Sequence, residues 1–145
     1  MWRDTAQQAC PETEFDVPVD TSALRAAERR LGRRLPAALA DLLQETDGIR
    51  GPYGLATVWP LERIVTDNLH FWSDPTFAGL YMPFEPLLFF GDNGGGDQFA
   101  FVRVPDGRPD VFVWEHEDDS RRWVARDLRD YVGRSLTSEG DDWYQ

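Results

Sequence analysis

The chain has 145 residues, a formal net charge of −11, 41% hydrophobic residues and 13% aromatics. That is enough apolar material to bury a core without disulfides or metal, and it excludes a disordered chain. No window approaches the roughly 18 to 20 apolar residues of a membrane span, and the single cysteine, Cys10, can form no internal disulfide; a reducing, cytoplasmic setting is expected.

The opening MWRDTAQQACPETEFD lacks the apolar centre of a secretory signal. Residues 1–20 show no apolar periodicity and are read as a loose acidic leader. Leu24, Ala27 and Leu31 then recur at helical spacing behind the capping candidates Asp20, Thr21 and Ser22. Gly32 is placed to stop that helix and Pro36 to start another, which carries Leu39, Leu42 and Leu43 and ends at Asp47-Gly48. LATVW (55–59) is a short strand candidate, and Pro60 opens a third helix with Leu61, Ile64, Val65, Leu69 and Trp72 on one stripe. Residues 73–86, broken by Pro75, Pro83 and Pro86, read as a connecting loop.

From there the period changes to two. LLFF (87–90), DQFAFVRV (97–104), DVFVWEH (110–116) and RRWVA (121–125) predict consecutive antiparallel strands separated by the turn segments GDNGGG, PDGRP and EDDS. Leu128, Tyr131, Val132, Ser135 and Leu136 give a last amphipathic helix, followed by an acidic tail (138–145) expected to fray. Helices and strands that do not alternate strictly predict an α+β fold. The expectation is an antiparallel sheet of about four to six strands packed with about four helices in a single domain over 21–137.

Charge is uneven along the chain. Every basic residue is an arginine, and residues 85–145 hold fourteen acids against seven arginines. Such a half repels nucleic acid and speeds encounter with a basic protein. Direct nucleic-acid binding is therefore not expected.

Two segments invite a chemical reading. GDNGGGD (91–97) is not a phosphate-binding loop: no Lys-Ser/Thr follows the glycines, and a strand rather than a helix comes next. As a calcium loop it offers Asp92, Asn93 and Asp97 but lacks the alternating register and the terminal glutamate. A hairpin turn using glycine for positive φ is the reading preferred. EHEDD (115–119) crowds carboxylates around His116, but at a predicted strand end and turn, where such charges are solvated. Cys10 has no paired histidine context and no serine sits in a G-x-S-x-G elbow, so no catalytic constellation emerges.

Three features together resemble the SUKH superfamily, which includes bacterial immunity proteins and cell-wall assembly regulators of the Smi/Knr type. They are the helix pair with its LGRRLPAAL link and closing DG (31–48), the segment LLFFGDNGGGDQFAF (87–101), and the order VFVWEHED then RRWVARDLRDYV. The resemblance spans about residues 20–137. It implies an α+β fold without enzymatic activity, no cofactor, and a role in binding and neutralising a cognate toxin, often a nuclease or another nucleic-acid-modifying enzyme. It also implies that Gly91, Gly94, Gly95 and Gly96 define the fold, with Asp92 and Asp97 in the same loop.

The leading expectation is a non-catalytic protein-binding domain facing a toxin with a basic surface. Its acidic contact candidates are Asp92, Asp97, Glu115, Glu117, Asp118 and Asp119. The alternatives are a regulatory or scaffold module without a toxin, and a metal-dependent enzyme using Asp92, Asp97 and the acids beside His116.

Overall fold

The computed structural model describes residues 1–102, 109–138 and 142–144, with the backbone alone for 77–79. The end of the expected strand 97–104, the PDGRP turn and part of the tail lie outside the described residues. The helices are α1 (Trp2–Ala9), α2 (Thr21–Leu31), α3 (Ala37–Leu43), α4 (Leu61–Ser73), α5 (Pro75–Leu80) and α6 (Leu128–Thr137). The strands are β1 (Glu14–Phe15), β2 (Ile49–Arg50), β3 (Ala56–Val58), β4 (Leu87–Asp92), β5 (Gln98–Val102), β6 (Val111–Glu115) and β7 (Ser120–Ala125). They form two antiparallel sheets, β1-β2-β3 and β4-β5-β6-β7. The fold is α+β.

The helix punctuation acts as the residue types predict. The Asp20 carboxylate accepts the Ala23 N–H at 2.7 Å at the start of α2, and Gly32 ends that helix in the left-handed region at φ 74°. Pro60 has no side-chain cap to offer α4, so Asp47 supplies one from across the chain, accepting the Leu61 N–H at 2.7 Å. The apolar stripes of α2 and α3 both enter the one core, with Leu39, Leu42 and Leu43 fully buried, and α2 packs against α4.

The four-stranded sheet carries helices on both faces. Tyr131 of α6 packs edge-on against Phe90 at 5.0 Å, while Phe90 stacks on Phe101 at 4.7 Å. On the opposite face Trp114 of β6 sits among Phe71, Tyr81, Phe84 and Phe89 in edge-to-face contacts. Contacts of this kind add to the area term of burial.

Outermost strand β4 is closed off by side chains. Asn68, fully buried in α4, accepts the Phe89 N–H at 2.8 Å and donates to the Phe89 carbonyl at 2.8 Å, so its amide stands in for a neighbouring strand. Trp72 Nε1 donates to the Leu87 carbonyl at 2.9 Å, and the Leu87 N–H reaches the Phe84 carbonyl at 2.8 Å. A register shift between Phe89 and Gly91 turns the Phe90 carbonyl outward, where the Trp59 N–H meets it at 2.7 Å. Unpaired edge groups invite other strands; here they are occupied.

The structure departs from the sequence expectation in three places. The leader is not loose: residues 2–9 form a helix whose Trp2 and Ala6 are buried against α6. The Arg129 guanidinium lies 4.7 Å from the Trp2 ring and donates to Thr5 Oγ1, while the Trp2 N–H donates to Glu45 at 2.8 Å. Residues 73–86 contain α5, because Pro75 sits at a first helical position, where proline is tolerated. In the tail, Trp143 and Tyr144 do not fray; they pack on Phe99, Trp143 stacking at 5.7 Å.

Candidate functional site

The glycine loop and the acidic turn, separated by about twenty residues in sequence, are joined in space. Antiparallel pairing of β5 with β6 sets Gln98 opposite Trp114 and so brings the start of β5 beside the end of β6. Asp97 is buried at 7% exposure. One of its oxygens accepts the His116 N–H at 3.1 Å and lies 2.7 Å from His116 Nδ1. The other accepts the Tyr144 hydroxyl at 2.7 Å. Burial alone would raise the Asp97 carboxyl, but these donors hold it below the usual range. Burial, together with the Asp97 charge, pushes the Tyr144 phenol up.

Within the loop, Asn93 accepts the N–H groups of Gly95 at 2.8 Å and Asp97 at 3.1 Å and donates to the Tyr144 hydroxyl at 2.7 Å. Three glycines are required here, for different reasons. A Cβ on Gly91 would lie 2.2 Å from the Thr57 carbonyl oxygen and 2.8 Å from the Tyr131 hydroxyl, so that position allows β3 and α6 to approach β4. Gly96 has φ 111° and its missing Cβ leaves room for the His116 ring at 2.9 Å. Gly95 is exposed and meets only the Asn93 side chain. Positive φ thus explains Gly96, and Gly94 at φ 81°, while close packing explains Gly91.

Of the six candidate contact acids, the structure turns three inward. Asp97 is held as above. Asp92, its side chain 13% exposed, accepts Trp59 Nε1 at 2.8 Å, the Arg63 guanidinium at 2.9 Å and the Gly94 N–H at 2.8 Å. Asp119 stands at φ 61° and accepts Trp114 Nε1 and the Met82 N–H, at 2.8 and 2.9 Å, and Arg121 at 3.2 Å. Against the effect of burial, those three donors keep its carboxyl below the usual range. Arg121 also reaches the Met82 and Pro83 carbonyls, so this pair fastens the 82–84 segment to the turn. Glu115 is paired with Arg122.

Glu117 and Asp118 remain exposed at the tip. Asp118 accepts from Ser120, which lowers its carboxyl, and the Asp119 N–H closes the turn on the Glu115 carbonyl at 2.9 Å. The arrangement holds two carboxylates toward solvent on a rigid base. Asp92 and Asp97 are each committed to different partners, and among the described residues no three His, Cys, Asp or Glu side chains converge as metal ligands. The tethering residues Asn93, His116 and Tyr144 carry no spacing signal in the sequence, since only the β5–β6 pairing and the returning tail bring them together.

A model of the SMI1/KNR4 family (SUKH-1) matches residues 18–134, from before α2 well into α6. The chain belongs to that family. No curated protein matches it as a relative. SUKH-1 is a family associated with immunity proteins. Both the glycine loop and the acidic turn lie within the SUKH-1 match, whereas α1, β1 and Tyr144, the outer donor to Asp97, lie outside it. No helix among the described residues is long and apolar enough to cross a membrane.

Proposed function

We propose that this SUKH-1 protein is a non-catalytic binding protein that neutralises a cognate toxin, using the 115–119 turn as one contact. Family membership carries the reading, and the exposed Glu117 and Asp118 on a turn fixed by Asp97, His116 and Asp119 support it. A turn already held in shape loses little conformational freedom on binding. Its charge, within an acidic half of the chain, suits a basic face such as the substrate groove of a nuclease.

Co-expression with toxins encoded next to this gene, scored by growth, tests the reading: rescue is expected, and failure to rescue against every such toxin overturns it. With a rescued toxin in hand, E117R/D118R is expected to slow association about tenfold at low salt, within the range of electrostatic steering. Unchanged association kinetics would remove the turn from the interface.

A further inference from the structure

The helix-to-link corner of α2 has a charge opposite to that of the rest of the molecule. Arg25, Arg29, Arg33 and Arg34 line one open depression with Glu28 and Gly32. Arg25, Arg29 and Arg34 are exposed, and no ion pair among the described residues uses them. By contrast Arg30, Arg50, Arg63, Arg121, Arg122 and Arg134 are all paired with carboxylates. In a chain with 26 acids and 15 arginines, three neighbouring arginines without a partner are unexpected.

Local structure does not account for them. Arg29 lies in the last turn of α2, where the carbonyl end of the helix favours cations, but Arg25 and Arg34 lie outside that turn. Arg25 and Arg29, one turn apart, repel each other. Glu28, the one acid in the depression, is occupied in accepting the Leu35 N–H at 2.8 Å. Arg33 is anchored, its guanidinium 3.7 Å from the Trp72 ring and donating to the Glu85 carbonyl at 3.0 Å. One wall of the depression is thus rigid and three cations project from it.

We infer that this corner is a docking site for an acidic, extended segment of a protein. Arg25 and Arg29 are about 6 Å apart along the helix axis, close to the roughly 6.8 Å between alternate side chains of a strand. Carboxylates at every second residue would therefore meet successive guanidiniums, whose planar forks match them in bidentate pairs. A long polyanion fits less well, because beyond these arginines it meets a molecule with a net charge of −11. The site is on different elements from the 115–119 turn, and the inference does not rest on the toxin reading.

The probe is a fluorescein-labelled octapeptide of alternating glutamate and serine, titrated by anisotropy against the full chain at low salt. Saturable binding that weakens toward about 0.15 M ionic strength is expected, with side-chain NεH shifts at Arg25, Arg29 and Arg34 in NMR spectra. R25Q/R29Q/R34Q is expected to bind at least about tenfold more weakly, the combined effect of three exposed ion pairs. Circular dichroism checks its fold, and the three single variants, each losing part of the affinity, replace it if it does not fold. E117R/D118R is expected not to weaken peptide binding, which separates this site from the turn. Absence of saturable binding, wild-type affinity in the glutamine variants, or tighter binding of a single-stranded oligonucleotide of equal charge would overturn the inference.

Discussion

Replacing Gly91 by alanine tests how the glycine loop acts in the fold. The new Cβ would lie 2.2 Å from the Thr57 carbonyl oxygen and 2.8 Å from the Tyr131 hydroxyl, which donates to that same carbonyl at 2.6 Å. Neither neighbour can move cheaply, because one is backbone and the other belongs to a fully buried ring. Overpacking of this kind costs about 1–3 kcal/mol, and loss of the hydrogen bond adds about 1 kcal/mol. The total, about 2–4 kcal/mol, is a large part of the 5–15 kcal/mol typical of a domain. With a urea m-value near 2 kcal/mol/M, the unfolding midpoint should fall by about 1–2 M with the slope unchanged. Gly95→Ala is the matched control: its Cβ meets only Asn93 side-chain atoms, from 3.6 Å, and a change within about 0.5 kcal/mol is expected. A wild-type midpoint for Gly91→Ala, or an equal loss for Gly95→Ala, would refute the close-approach argument.

Other expected outcomes follow from the same geometry. Asn68→Ala leaves the buried Phe89 N–H and C=O without partners and should destabilise by about 2–5 kcal/mol; a loss under 1 kcal/mol in urea unfolding contradicts the edge-closing role. Trp2→Ala should cost about 3–5 kcal/mol, and a neutral result would show that α1 contributes nothing to the core. For Asp97 the folded carboxyl lies below its unfolded value of about 3.9, so its contribution is present above that pH and lost as pH falls through the folded value. Asp97→Asn should therefore be less stable than wild type at neutral pH, with the gap narrowing on acidification; a gap independent of pH rules this out. The slower toxin association of E117R/D118R should converge on wild type toward 1 M salt, where the Debye length is about 3 Å; a gap that persists would place the effect in packing.

Much of the fold is readable in the sequence because local chemistry and tertiary structure agree there. Asp20, Gly32 and the apolar stripes of α2 and α3 do in the structure what their types predict, and the strand segments described within 87–102 and 111–125 pair as antiparallel neighbours. Failures occur where the signal is short or ambiguous. The helix at 2–9 buries only Trp2 and Ala6, one turn apart, too little to register as a period. Pro75 can break a helix or begin one, and only its neighbours decide. At the candidate site the acids are visible but their direction is not. Asp92, Asp97 and Asp119 look like Glu117 and Asp118 in sequence, yet each accepts from a donor supplied far along the chain: Trp59, Tyr144 or Met82.

The closure of β4 has a consequence for assembly. A sheet that can accept a neighbour at both ends can lengthen without limit, whereas one whose first strand is already occupied has a direction. Here Asn68, Trp72 and the Trp59 N–H terminate the four-stranded sheet on the β4 side. Any strand added to it, from a partner or from another copy, must enter at β7. Self-pairing through that end would stop at two molecules, since each would present its blocked side outward, and this route to fibres is closed by topology rather than by charge.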